Sequence, residues 1–242
     1  MKHLKILSII LILIFFQSKA QQSARVVYKL VKVDDTEKKQ EFIKKNGESF
    51  YNQMVKFNRK VFSIAKDFDF ILKFNPNESL YYWEEEMPDE TIDKRIMILA
   101  KNMGSGMSVK YQNKKENLII SQGPRPGSTT LYREISKLDK YQWKITNQTD
   151  TILGYPVIKA VKNTIEVWFA PDIPVSFGPA GLGGLPGLIL KRHLTKQFFG
   201  IDLVATEIRF YKKPIKIKRP KKGVLITEEK ARAQRIQQIN GG

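Results

Sequence analysis

The sequence predicts an α+β fold, mainly antiparallel β: a curved sheet or open half-barrel packed on an early helix, with a short C-terminal helix. Three observations predict it. From Phe68 onward, short apolar or alternating runs recur roughly every ten residues, separated by Gly, Pro and Asn, which is the spacing of a meandering sheet. One earlier stretch, Thr36 to Lys66, is rich in lysine and glutamate and carries Phe42, Phe50, Met54, Phe57 and Val61 near helical spacing. Near the end, Thr227-Glu228-Glu229-Lys230 reads as an N-cap followed by acids in a first turn. A compact closed barrel is the alternative use of the same pieces.

Taken in order, Arg25 to Val33 is β-branched and aromatic and predicts a first strand. The helical stretch follows as one helix or two, because Gly47 stands in its middle. Strand-like runs are then Phe68 to Phe74, Leu80 to Trp83, Arg95 to Ala100, Ser108 to Gln112, Leu118 to Ser121 and Thr130 to Ile135. An acidic loop, Glu84 to Glu90, interrupts them. Tyr141 to Thr146, Thr151 to Val161 and Thr164 to Ala170 continue the series, with Lys162-Asn163 suited to a tight hairpin. Leu188 to Leu194 and Gln197 to Thr206 form a further pair. Ile208 to Ile217 alternates basic and apolar residues and reads as an edge strand, since Pro214 cannot donate to a central ladder.

The N-terminus has the anatomy of a secretory signal peptide: Lys2 and Lys5, an apolar run from Ile6 to Phe16, then Ser18 and Ala20. Spanning a bilayer takes roughly 20 apolar residues, so the run is too short for an anchor. Cleavage is expected after Ala20, leaving residues 21–242 as a single domain without a transmembrane segment. There is no cysteine, which excludes disulfides and a lipid-modified N-terminal cysteine. The chain carries 42 Lys and Arg against 24 Asp and Glu. Such a field favours anionic partners, namely an anionic envelope polymer such as lipopolysaccharide, acidic membrane surfaces or polyanionic glycans, although a general basic character more often reflects solubility than a dedicated site. The bases are dispersed except in Lys212 to Lys222 (KKPIKIKRPKK), and no nucleic acid is expected.

Catalytic chemistry is constrained by histidine. Of the two histidines, His3 lies in the signal peptide, leaving His193. A Ser-His-Asp hydrolase needs one histidine, yet no Gly-x-Ser-x-Gly elbow occurs. With neither cysteine nor His-rich spacing, no metal or cofactor is expected. Glu84, Glu85, Glu86, Asp89, Glu90 and Asp93 cluster beside Tyr81, Tyr82 and Trp83. Paired acids beside aromatics are what a glycosidase shows, although a solvated loop has the same composition.

The densest glycine segment is Gly178 to Leu190, GPAGLGGLPGLIL. It fails the Gly-x-Gly-x-x-Gly pattern at Pro186 and has no Lys-Ser/Thr for a phosphate loop. Its leucines are costly to leave in water, so the loop must tuck them under the chain's own core, an apolar ligand or a partner. The residues expected to bind are Trp168, Pro179, Leu182, Gly184, Leu185, Pro186, Gly187 and Leu188.

Gly184-Leu185-Pro186-Gly187-Leu188-Ile189 spells GLPGLI, and the sequence resembles the GLPGLI family of exported Bacteroidetes proteins over most of its mature length. Val167 to Pro174 (VWFAPDIP), Gly178-Pro179, Tyr141 to Thr146 (YQWKIT), Ile152 to Ala160 (ILGYPVIKA) and Phe70 to Asn75 with Glu78-Ser79 carry the resemblance in order. Many family members have a cysteine where this chain has Pro156-Val157-Ile158. The resemblance implies export to the periplasm or outer-membrane region of a Gram-negative cell. It also implies a sheet-rich fold similar to periplasmic lipoprotein carriers, and it supplies no catalytic residues.

The expected function is that of a non-enzymatic envelope protein, docking an outer-membrane protein or carrying an apolar ligand through the loop at 178–190. The alternatives are an envelope glycan hydrolase using the carboxylates near Trp83, and a polyanion binder using Lys212 to Lys222.

Overall fold

The computed structural model describes residues 23–33, 36–85, 91–125, 128–138, 142–195, 199–227 and 229–230. The signal peptide, Glu86 to Glu90 and most of the expected C-terminal helix lie outside these residues. Thr227 does act as the expected cap, accepting a hydrogen bond from the Lys230 N–H at 3.3 Å.

The fold is a mostly antiparallel open sheet of twelve strands with three helices among the described residues. In chain order these are β1 (Ser23–Val33), α1 (Thr36–Asn46), α2 (Glu48–Ala65), β2 (Phe70–Phe74), β3 (Glu78–Trp83) and α3 (Lys94–Met103). There follow β4 (Val109–Asn113), β5 (Leu118–Pro124), β6 (Leu131–Lys137), β7 (Lys144–Ile152), β8 (Tyr155–Lys162) and β9 (Ile165–Ala170). The last three are β10 (Leu188–Thr195), β11 (Gly200–Tyr211) and β12 (Val224–Thr227). Gly47 divides the long helical stretch at φ 87°.

The strand order is β12-β6-β5-β4-β3-β2-β1-β11-β10-β9-β8-β7. Two meanders, β2 to β6 and β7 to β11, flank β1, and β11 closes the gap by pairing with it along its whole length. The strand β12 caps β6 by a parallel pairing, the one such pairing among the described residues. Three readings are corrected here. The Arg95–Ala100 run is helical, because Asp93 caps α3 and Ile96, Ala100 and Met103 bury one side of it. Thr151 to Val161 is broken by a two-residue turn at Leu153 (φ 52°) and Gly154 (φ 80°). The run from Ile208 stops at Tyr211 and not Ile217: it is the end of β11, paired there with β1 alone, and Pro214 falls just beyond it.

Opposed residues on neighbouring strands share a face. Leu30, Leu203, Arg192 and Val167 therefore lie on one side, together with Leu72, Tyr81 and Lys110. We call this the inner face, because Tyr81 donates from it to the Gly104 carbonyl at the end of α3. The outer face carries Lys29, Lys191, Trp168 and Lys159 in one half and Leu80, Tyr111, Ile120 and Ile135 in the other. The main core joins Tyr28, Phe70, Leu72 and Tyr81 to Val61 and Ala65 of α2.

Candidate functional site: a polar cleft beside the glycine loop

The glycine segment is a buried turn held by other parts of the chain. Pro179 to Gly181 forms a tight turn in which Ala180 (φ 58°) and Gly181 (φ 76°) take left-handed backbone, and Gly184 follows at φ 84°. Gly187 runs so close to β9 that a Cβ there would lie 2.3 Å from the Ala170 carbonyl oxygen. The loop's carbonyls are met by the buried side chains of Gln112 and Tyr28 and by the half-buried Trp143. Gln112 Nε2 donates to Gly181 O and Leu182 O, each at 3.1 Å, and is itself oriented by Ser79 Oγ at 2.8 Å. Trp143 Nε1 donates to Gly183 O at 2.8 Å, and Tyr28 OH to Ile189 O at 2.7 Å. Burial pushes the Tyr28 phenol far above its ordinary value, so this donor keeps its proton.

Leu182 and Leu185 pack with Ala160, Val167, Phe169 and Ile189, while Leu188 joins the main core. Pro179 and Gly187 are also buried, leaving Gly184 and Pro186 as the exposed members of the expected site. Trp168 is not brought to them. It lies on the outer face, its ring centroid 5.0 Å from Lys191 Nζ and 5.5 Å from Lys159 Nζ. Beside it, Asp202 Oδ1 stands 2.7 Å from His193 Nδ1, and its other oxygen lies 3.4 Å from Lys191 Nζ.

Between the glycine loop and the turn after α3, the inner face holds a cleft of about 360 Å³. Asn102, Ser105, Met107 and Ser108 line it from the turn, Lys110 from β4, Ile165 from β9 and Arg192 from β10. Ala180 and Leu182 complete it from the loop. Arg192 donates towards Ser105 Oγ at 3.4 Å, and Lys110 hydrogen-bonds Ser121. The turn is fixed by close packing: a Cβ on Gly104 would enter the Phe70 ring, and one on Gly106 would meet Trp83. Burial raises the Tyr81 phenol well above its usual range beneath this turn, and the nearby Arg192 charge only partly opposes that.

The cleft therefore gathers an amide, two hydroxyls, an ammonium and a guanidinium beside apolar side chains. Sugars present hydroxyls and C–H faces together, which this mixture matches. Sequence reasoning missed Arg192 and the 102–108 turn, because sheet register brings them together from residues far apart in the chain. The described members of the acidic cluster are dispersed: Glu84 is tied to Arg25 at 2.5 Å, Glu85 is exposed, and Asp93 caps α3, while Glu86, Asp89 and Glu90 lie outside the described residues. The N–H groups of Ile96 and Arg95 hold the Asp93 carboxyl below the usual range. Among the described residues, no three His, Asp or Glu gather as a metal site.

A family model described as "N-glycanase peptide, N-terminal domain" matches residues 105–231. Two solved structures of PNGF-II, in different crystal forms, share the fold. One has a TM-score of 0.53 at 19% identity, covering 88% of this chain and 33% of that one. The other has a TM-score of 0.51 at 20% identity, covering 88% and 32%. This chain thus spans about a third of the length of either. No curated protein matches. The GLPGLI assignment is corrected by the family match, which encloses the hexapeptide. The physical reason lies in Gly187, whose contact with Ala170 makes the short motif a mark of turn geometry.

Proposed function

The chain belongs to the family of the N-glycanase N-terminal domain, and from that premise we propose that it is a glycan-directed hydrolase-family domain whose inner cleft receives carbohydrate. The expectation of a non-enzymatic protein that docks a membrane partner or carries an apolar ligand is corrected by the same match, which is to part of an enzyme family. Export is the expectation from the N-terminal sequence, and we carry it into this reading. We place the protein in the periplasm or at the outer membrane.

The observation carrying this reading is that eight of the nine cleft-lining residues fall inside the matched segment, with only Asn102 before it. Arg192 and Lys110 supply charged donors for sugar oxygens, and such bonds are worth about 1.5–3 kcal/mol when well formed. Glycan release by the chain itself is a second reading, at a separate site on the outer face and not in the cleft, favoured by the His193–Asp202 contact of 2.7 Å. Such a pair can orient an imidazole as a base towards water.

One assay separates the two. The exported protein is incubated with an N-glycopeptide, and glycan binding and glycan release are measured together. Arg192→Gln is expected to weaken binding about tenfold or more. His193→Ala is expected to leave binding intact and abolish any release. Unchanged binding by Arg192→Gln and by Lys110→Gln overturns the cleft as the sugar site; release unaffected by His193→Ala removes the second reading.

A further inference from the structure

On the outer face, away from the cleft, residues 212–223 leave β11 and cross the sheet as a strap towards β12. The strap is pinned by the sheet's side chains. Asn75 Nδ2 donates to Ile215 O at 3.0 Å, Arg133 to Lys221 O at 2.8 Å, and Gln122 to Lys222 O at 2.6 Å. Arg219 Nη1 donates to both carboxylate oxygens of Glu116, at 2.8 and 3.0 Å, and its guanidinium lies 5.9 Å from the Tyr111 ring centroid, while Pro220 is buried. Ile215 and Ile217 are half-buried, whereas Lys212, Lys213, Lys216, Lys218, Lys221 and Lys222 are all exposed. Among the described residues these six lysines enter no ion pair, so the strap holds a fixed array of uncompensated charge.

Charge is not the whole of this surface. Leu225 opposes Arg133 across β12 and β6, and Leu131 lies two residues before Arg133 on the same strand, so both share the strap's face. Leu225 is 56% exposed and Leu131 36% exposed, and Gly223, at the strap's end, packs on Leu131. A soluble polyanion needs only the lysines. An anionic bilayer needs both features, with phosphates meeting the ammonium groups and acyl chains receiving the leucines.

We infer that the 212–223 strap, with Leu131 and Leu225, docks the protein on an anionic lipid surface. This stands apart from the glycan reading, since the cleft lies on the opposite face. The test is partitioning of the exported protein onto vesicles of phosphatidylglycerol with phosphatidylcholine, against phosphatidylcholine alone. Neutralising Lys216, Lys218, Lys221 and Lys222 to Gln is expected to lower partitioning several-hundred-fold, at about fivefold per lysine. Leu131→Ser with Leu225→Ser is expected to lower it at least tenfold, by an amount that survives high salt. All six positions are exposed, and circular dichroism confirms that each variant is folded. Equal binding to neutral vesicles, or an unaltered lysine variant, overturns the proposal. So does a leucine variant that binds vesicles normally while the lysine variant loses a sulfated glycan, because the face is then a polyanion site.

Discussion

Gly187 shows how a single hydrogen in place of a methyl group sets the path of the glycine loop. The atom that a Cβ would strike is the backbone oxygen of Ala170, 2.3 Å away, and backbone in a paired strand cannot swing aside as a side chain can. Gly187→Ala is therefore expected to destabilise by about 2–3 kcal/mol. It should appear as a lower urea midpoint at constant slope, and an unchanged midpoint would mean that the loop can slide off β9. Much of this was legible in the sequence, since leucines set among glycines and prolines must be buried somewhere. The partners were not legible: nothing around Gln112 or Trp143 marks them as donors to a loop some 40 to 70 residues further on.

At the level of elements, what was legible was what is local. Gly47 as a helix break, Asn163 in a tight hairpin and Thr227 as a cap each act within a few residues of themselves. The helix α3 was misread because a short apolar run has no decisive period, and Asp93, its cap, looked like one more acid in an acidic loop. The turn between β7 and β8 offers a direct check. Leu153 is 44% exposed and held at φ 52°, a conformation that Asn tolerates better than Leu. Leu153→Asn creates an Asn-Gly hairpin turn and is expected to raise stability by roughly 1 kcal/mol, read as a higher thermal midpoint. A lower midpoint would show that the leucine side chain packs usefully despite its exposure.

Across the whole molecule, the sheet-rich class was legible, because class follows from the spacing of apolar runs. Strand order was not, because the pairing of β1 with β11 joins segments from the two ends of the sequence. The same distance kept the cleft out of sight, with Arg192 meeting Ser105 across 87 residues. Since β11 shares one continuous ladder with both meanders, the protein is expected to unfold in a single cooperative transition, with calorimetric and van't Hoff enthalpies agreeing. Two resolved transitions would mean that the meanders are separate folding units.

The pairing of β1 with β11 also has a consequence for a chain that is exported across a membrane N-terminus first, as its leader-like start predicts. One side of β1 waits without a neighbour until Tyr211 has emerged, so the β7-to-β10 half has nothing to join while translocation is under way. Completion of the native ladder is deferred to the last stretch of polypeptide, which suits a thread that must pass a narrow pore before it acquires a fixed shape.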